Sequence, residues 1–288
     1  MRKPIALLKL LRPVNCFMMG FAVIVGAALA TGTEIAEWWQ NLILGFLTGF
    51  LLTGASMAIN DYYDREIDAI NEPGRPIPSG AITPSQALAF AFLLTVAGLT
   101  AALMTNLECL ALAIISWIIS VSYVTFGKQT GLFGNFLVSA CVSVPFIYGN
   151  FAVEKLNFAV FLFAAMAFLS NTGREITKGI VDIEGDRAKN IGTLAVRFGS
   201  KCAAWAAAIF YFAAVALSPL PVIFGLVSLW FVPFVLITDI GLIFSSLSLL
   251  RDFSRENARK VKNMVLVWFV FGLLAFIFGA FPQPPASL

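Results

Sequence analysis

The chain has 288 residues, of which 59% are hydrophobic and 12% charged, with a mean hydropathy of +0.88. Soluble domains carry about 25% charged residues, so this composition excludes an ordinary water-soluble protein and points to lipid as the solvent. The formal net charge is +3 and histidine is absent, which excludes histidine acid–base chemistry and histidine triads; no nucleic-acid partner is expected.

The basic start (Arg2, Lys3, Lys9, Arg12) runs into an apolar stretch long enough to span and lacking a small-residue cleavage site, so no removable leader is expected. A spanning helix needs about 20 mostly apolar residues. On that measure the sequence predicts nine, at 14–31, 41–60, 85–105, 109–126, 132–151, 156–174, 202–218, 222–250 and 263–281. The eighth is overlong and contains Pro233 and Asp239. Split in two it would give pieces too short to cross, so one tilted or kinked helix is expected.

Charge gives an independent reading of the same count. With nine spans and a cytoplasmic N-terminus, only Lys155 of the 19 basic residues falls on the outer side, and Arg174 sits at the inner end of the sixth span. A wrong count would scatter these charges. The expected fold is therefore all-α: one polytopic membrane domain over residues 1–288, N-terminus cytoplasmic, C-terminus (282–288) outside. The expected location is the cell membrane, with membrane lipids as neighbours and the informative sequence on the cytoplasmic side. Cys16, Cys109, Cys141 and Cys202 lie far apart in or beside apolar segments without a CxxC pair, which argues against zinc.

Chemistry concentrates at two inner helix ends. After the second span, Asn60, Asp64 and Asp68 recur at i, i+4, i+8, with Asp61 three before Asp64, so all four share roughly one helical face. Carboxylates so arranged repel unless a cation lies between them, and oxygen donors suit Mg²⁺ shared with substrate phosphates. After the sixth span, Asp182 and Asp186 repeat the i, i+4 spacing. The two clusters could hold metal from opposite sides of one diphosphate. Basic residues lie close by: Arg12 before Pro13 and Asn15, Arg75 in a Pro/Gly-rich loop (Gly74 to Gly80), Lys128 between spans four and five, and Arg174 and Lys178 one turn apart ahead of Asp182.

Asn60-Asp61-x-x-Asp64-x-x-x-Asp68, then Arg75-Pro76-x-Pro78-Ser79-Gly80, then Asp182-x-x-x-Asp186 resembles the UbiA-type intramembrane prenyltransferase superfamily, over essentially the whole chain. The resemblance implies Mg²⁺-dependent prenyl transfer from a prenyl diphosphate donor. Asn60, Asp61, Asp64, Asp68, Asp182 and Asp186 would bind the metal, and the aspartates Asp64, Asp68, Asp182 and Asp186 would be catalytic. Arg75 and Lys128 would contact diphosphate, with Tyr123 as the tyrosine that accompanies such a lysine. The run from Gly173 to Asp186 looks most like the archaeal branch, which transfers geranylgeranyl from geranylgeranyl diphosphate to geranylgeranylglyceryl phosphate and so forms the second ether bond of archaeal lipids. Arg174, Lys178 and Arg12, with Asn15 beside it, are then candidates for the phosphorylated, lipid-like acceptor. The alternatives are an aromatic-acceptor prenyltransferase of quinone biosynthesis, and a transporter, for which only Asp239 lies deep in a span.

Overall fold

A computed structural model describes residues 3–188 and 190–281, without the side chains of Asn71 and Lys128. Arg2, Lys189 and residues 282–288, used above in the charge count and orientation, lie outside the described residues. In chain order the helices are α1 (Lys3–Leu11), α2 (Pro13–Thr31), α3 (Trp39–Asn71), α4 (Pro84–Thr105), α5 (Leu107–Thr125), α6 (Leu132–Ala152), α7 (Ala159–Val181), α8 (Ile183–Ala188), α9 (Leu194–Leu217), α10 (Leu220–Ile223), α11 (Phe231–Arg251) and α12 (Arg255–Ala280).

Among the described residues, seven segments are long and apolar enough to cross a membrane. The first, Pro13–Ile70, contains both α2 and α3, which run antiparallel because Gly20 meets Phe46 while Arg12 meets Asp61. Helix α7 is not among the seven, since its second half carries a polar and charged run from Ser170 to Lys178. Local signals set several helix starts. Thr83 and Gln86 form a capping box ahead of Pro84, and Asn106, Thr193 and Ser254 cap α5, α9 and α12.

The eighth apolar stretch differs from expectation. Helix α11 begins only at Phe231, so no overlong kinked helix forms, and Pro233 sits in the first turn, where a missing N–H breaks no hydrogen bond. Residues 224–230 instead form a turn after the short α10. Asp239 has a partner: Ser218 Oγ donates to Asp239 Oδ2 at 2.6 Å. The charge that favoured transport is thereby accounted for as a local polar pair.

Helix α3 is 33 residues long, about 50 Å at ~1.5 Å per residue. A hydrocarbon core is only about 30 Å thick. Its last turns, which carry the first acidic motif, are therefore free to project toward the interface. Small residues let the other helices close around it. Gly26 of α2 packs on the Phe146 backbone of α6, and Gly149 of α6 packs on the Val23 and Ala27 backbone of α2. Asn150 Nδ2 of α6 donates to Gly26 O (2.8 Å), which ties the same crossing, and Asn157 Nδ2 from the α6–α7 connection donates to Leu29 O (2.6 Å) at the end of α2. An aromatic core of Phe146, Phe163, Phe231 and Phe276 joins α6, α7, α11 and α12.

A Cβ added at Gly149 would lie 2.1 Å from Val23 O, whereas one at Gly179 would meet Thr193 at 3.7 Å. Gly149→Val is expected to destabilise the protein by about 3 kcal/mol or more, and Gly179→Ala to be near neutral; thermal unfolding in detergent measures both.

Candidate active site

The first motif lies where α3 leaves the apolar bundle. Asn60, Asp61, Asp64 and Asp68 are all buried. Buried carboxylates are tolerated only when paired, and two arginines from outside α3 supply the pairing. Arg12 donates to Asp61 Oδ1, and Arg75 Nη1 reaches both Asp61 Oδ1 (3.3 Å) and Asp68 Oδ2 (2.5 Å). Asn60 Nδ2 donates to Asp64 Oδ2 at 2.9 Å. Burial disfavours the Arg75 cation, but the charges of Asp68 and Asp61 outweigh it, so its pKa lies above the ordinary arginine value.

Local backbone aims both arginines. Arg12 joins α1 to α2 in the left-handed region (φ 53°, ψ 67°), ahead of Pro13. That conformation costs a non-glycine residue about 1–2 kcal/mol. Arg75 sits in the turn after α3, held by Arg75 N–H to Glu72 O and Ser79 N–H to Arg75 O (both 3.0 Å), with Gly80 at φ +72° closing it. The expected loop is present.

The second motif is not one continuous helix. Helix α7 ends at Val181, Asp182 caps it, and α8 begins at Ile183. The i, i+4 relation survives the break because Asp186 N–H donates to Asp182 O at 2.9 Å. Asp186 is buried and Asp182 half-buried. Helix α8 packs against α3, which brings the two motifs together. From the start of α12, Arg255 Nε donates to Val181 O (2.9 Å) and pins this corner.

These elements surround a cavity of about 310 Å³ bounded by α2, α3, α5, α6, α7 and α12. One pole is polar and holds Arg12, Asn15, Asn60, Arg75, Tyr123, Arg174 and Lys178, so seven of the expected site residues meet at one space. The rest is mainly apolar, with Met18, Met19, Leu52, Trp117 and Val142 on its walls. The aspartates do not line it: Asp61 and Asp68 stand behind the arginines that pair with them. The side chain of Lys128 lies outside the described residues; its backbone forms the turn Gly127–Thr130 between α5 and α6.

Three wall residues carry roles that the sequence reading did not assign. Glu175 is buried and takes Arg174 Nη1 (3.1 Å) on one oxygen and Lys178 Nζ (3.4 Å) on the other. Lys262 and Asn263 of α12 close the cationic pole from across the cavity. Glu175 was visible as the one acid between Arg174 and Lys178, whereas Lys262 carried no signal beyond its place at an inner helix end. Arg174 Nε is buried without a hydrogen-bond partner, a state that usually marks a place for a ligand or water.

The donor set is oxygen only, amide and carboxylate, which suits a hard cation. Among the described residues no three acidic side chains converge tightly enough to hold an ion unaided. The set thus fits a Mg²⁺ bound jointly with substrate phosphate oxygens, which is this ion's usual coordination.

The UbiA prenyltransferase family profile matches residues 19–274. The chain belongs to this family. A UbiA relative from Methanosarcina mazei, named digeranylgeranylglyceryl phosphate synthase, is 35% identical over 286 residues, covering 94% of this chain and 97% of its own. A solved structure of a digeranylgeranylglyceryl phosphate synthase shares 32% identity and superposes with a TM-score of 0.73, covering 97% of this chain and 99% of that one. A UbiA homolog from Archaeoglobus fulgidus, solved with GPP and Mg²⁺, shares the fold at a TM-score of 0.62 and 17% identity, covering 94% and 99%.

Asp61 serves two arginines at once. Asp61→Ala is expected to cost about 3 kcal/mol, because it leaves both cations without that acceptor in a largely buried site. Lys155→Ala removes only the exposed pair with Glu34 and should leave stability nearly unchanged. Thermal unfolding of the two variants side by side tests this partition.

Proposed function

We propose that this protein is an intramembrane prenyltransferase that moves a geranylgeranyl group from geranylgeranyl diphosphate to geranylgeranylglyceryl phosphate, forming the second ether bond of archaeal membrane lipids. The observation that carries the reading is a cavity with a cationic pole beside the two acidic motifs and a mainly apolar interior. The substrate assignment rests on the relative from Methanosarcina mazei, 35% identical along nearly its full length. An acceptor phosphate requires cations beyond those that serve a diphosphate, and Arg174 and Lys178 line the same cavity held by Glu175, whereas Arg12 and Arg75 are held by the first motif. That favours a phosphorylated acceptor over an aromatic one.

Asn60, Asp64, Asp68, Asp182 and Asp186 are the residues that would hold Mg²⁺, with Asp61 orienting Arg12 and Arg75 behind the site. Bound there, the metal neutralises charge on the departing diphosphate. Arg75 and Arg12 sit where they can transfer hydrogen bonds from carboxylate to phosphate oxygens, as charge-assisted donors do. The donor C1–O bond breaks and its electron pair leaves with the diphosphate; the acceptor hydroxyl oxygen then bonds to C1. Its proton passes to an oxygen of the diphosphate or of a site carboxylate, since the chain has no histidine to take it. Preorganised cations at the leaving group lower the barrier most, because charge grows there as the bond breaks. The apolar walls keep water away from the allylic cation.

Nine crossings complete the reading, with α2 and α3 counted separately and α7 enclosed by its neighbours. The N-terminal end of α2 and the active site face the cytoplasm and the C-terminal end of α12 faces outside, on the strength of the basic residues at the inner ends.

Incubating purified protein with geranylgeranyl diphosphate, Mg²⁺ and either geranylgeranylglyceryl phosphate or 4-hydroxybenzoate should yield product only with the former, and none after chelation. Prenylated 4-hydroxybenzoate as the main product would overturn the acceptor assignment. Asp64→Ala and Asp182→Ala should each lower kcat by about 10³-fold while the protein still inserts in membranes. In a cysteine-free background, Lys155→Cys should react with an impermeant maleimide added outside, and Glu256→Cys should not.

A further inference from the structure

The cavity has a neighbour. Met18, Met19, Val142 and Phe269 line both it and a second, smaller chamber of about 90 Å³ enclosed chiefly by α2, α6, α7, α11 and α12. Among the described residues, the polar side chains on the chamber wall are Ser170, Thr238 and Asp239. All three are engaged within the protein: Ser170 with Met166 O (2.9 Å), Thr238 with Phe234 O (3.1 Å) and Asp239 with Ser218. What remains is a hydrocarbon-compatible space. The partition contains two methionines, unbranched side chains that adapt readily to a new neighbour.

Three helices run from the cationic pole into this chamber: α2, whose Asn15 and Met18 line the cavity and whose Met18 and Ala22 line the chamber, and, with longer stripes, α7 and α12. On α12, Lys262, Leu266 and Phe269 line the cavity, and Phe269, Leu273 and Phe276 line the chamber. Their spacing alternates four and three residues, so they form one stripe on one helix face. On α7, Lys178, Arg174 and Asn171 line the cavity and Ala167 the chamber, with the same alternation. The stripe on α12 runs 14 steps along the helix, from Lys262 to Phe276, about 21 Å, of the order of an extended geranylgeranyl chain. Helix α3 behaves differently. Asn60, Met57, Thr53 and Gly49 lead down from the first motif along the cavity, and among the described residues none of α3 or α5 lines the chamber.

The cations divide in the same way. Arg12 and Arg75 are held by the first motif, and Arg174 and Lys178 by Glu175. Lys262 makes no ion pair among the described residues, and Arg174 Nε has no hydrogen-bond partner. Three cations thus stand at the head of the α7–α12 stripe, Arg174 and Lys178 sharing Glu175 and Lys262 within reach of the charges of Asp182 and Glu72.

We infer that the protein holds its two isoprenoid chains on separate tracks: the donor chain follows α3 within the cavity, and the acceptor chain follows α7 and α12 from a phosphate site completed by Lys262 into the second chamber. This rests on the acceptor assignment above and adds to it Lys262, the chamber and the direction of each chain.

Filling the chamber tests the track. A Cβ at Gly272 would meet only Thr238, at 3.7 Å, so larger side chains there have room to start and then occupy the chamber. Gly272→Leu, and Ala167→Leu from the facing wall, should raise the ratio of KM for geranylgeranylglyceryl phosphate to KM for its shorter geranyl analogue about tenfold. The donor KM should move far less. Lys262→Gln should raise KM for both phosphorylated acceptors about tenfold and equally, with Lys262→Arg recovering most of the loss. An unchanged long-to-short ratio in either folded chamber variant, or equal shifts in donor and acceptor KM, overturns the separate tracks. Gly272→Ala gives the folding reference, and two walls guard against one variant failing to fold. Failure of the acceptor assignment looks different, because the wild-type protein itself would then turn over no phosphorylated acceptor.

Discussion

Three aspartates are buried on one face of α3, and everything around them is arranged to make that tolerable. An unpaired carboxylate in such surroundings costs several kcal/mol, a large part of the margin by which any protein is folded. The cations cannot come from α3 itself, whose only arginine, Arg65, turns to Tyr62 instead, donating to its carbonyl at 2.7 Å with its guanidinium over the ring. They come from the segments just before α2 and just after α3. This is why the chain accepts a left-handed Arg12 between α1 and α2, and why a rigid Pro- and Gly-rich turn follows Asn71. The strain at Arg12 is small against the charge it neutralises.

Helix packing then decides where the charge faces. Lipid offers no hydrophobic drive between helices, so close backbone contact and interhelical hydrogen bonds hold the bundle. The α2–α6 crossing uses both, through Gly26 and Gly149 and through the amide of Asn150. With that side tightly closed, the space the helices leave open lies between α2, α3, α5, α6, α7 and α12, directly below the arginines. A prenyl diphosphate has the same division: a compact polyanion on a long hydrocarbon tail. The site's polarity matches the substrate's along one axis.

Without substrate, much of the site's positive charge is already matched by its own carboxylates. Asp61 and Asp68 answer Arg12 and Arg75, and Glu175 answers Arg174 and Lys178. These pairs keep long side chains in place at the edge of an apolar cavity, so little ordering remains to be done when an anion arrives. Lys262 makes no direct ion pair among the described residues, and only the more distant charges of Asp182 and Glu72 act on it, so it is the cation most open to a second anion.

The sequence by itself determined the lipid environment, the helical class, the acidic face of α3 and the family, because each depends on composition, on period or on residues close in the chain. Hydropathy located most of the helices, but missed that residues 222–230 form a short helix and a turn and that the second motif breaks at Asp182, since apolar composition and spacing alone cannot distinguish a continuous helix from one interrupted by a turn. Seven expected residues from α2, α3, α5, α7 and intervening segments do meet at one cavity. Only the tertiary structure decided how they meet. The pairing of Asp61 with Arg12 spans 49 residues, the approach of α8 to α3 joins distant helix ends, and Lys262 lies at the site only because α12 packs beside α2 and α7. Such contacts depend on the packing of whole helices, and no local spacing in the chain encodes them.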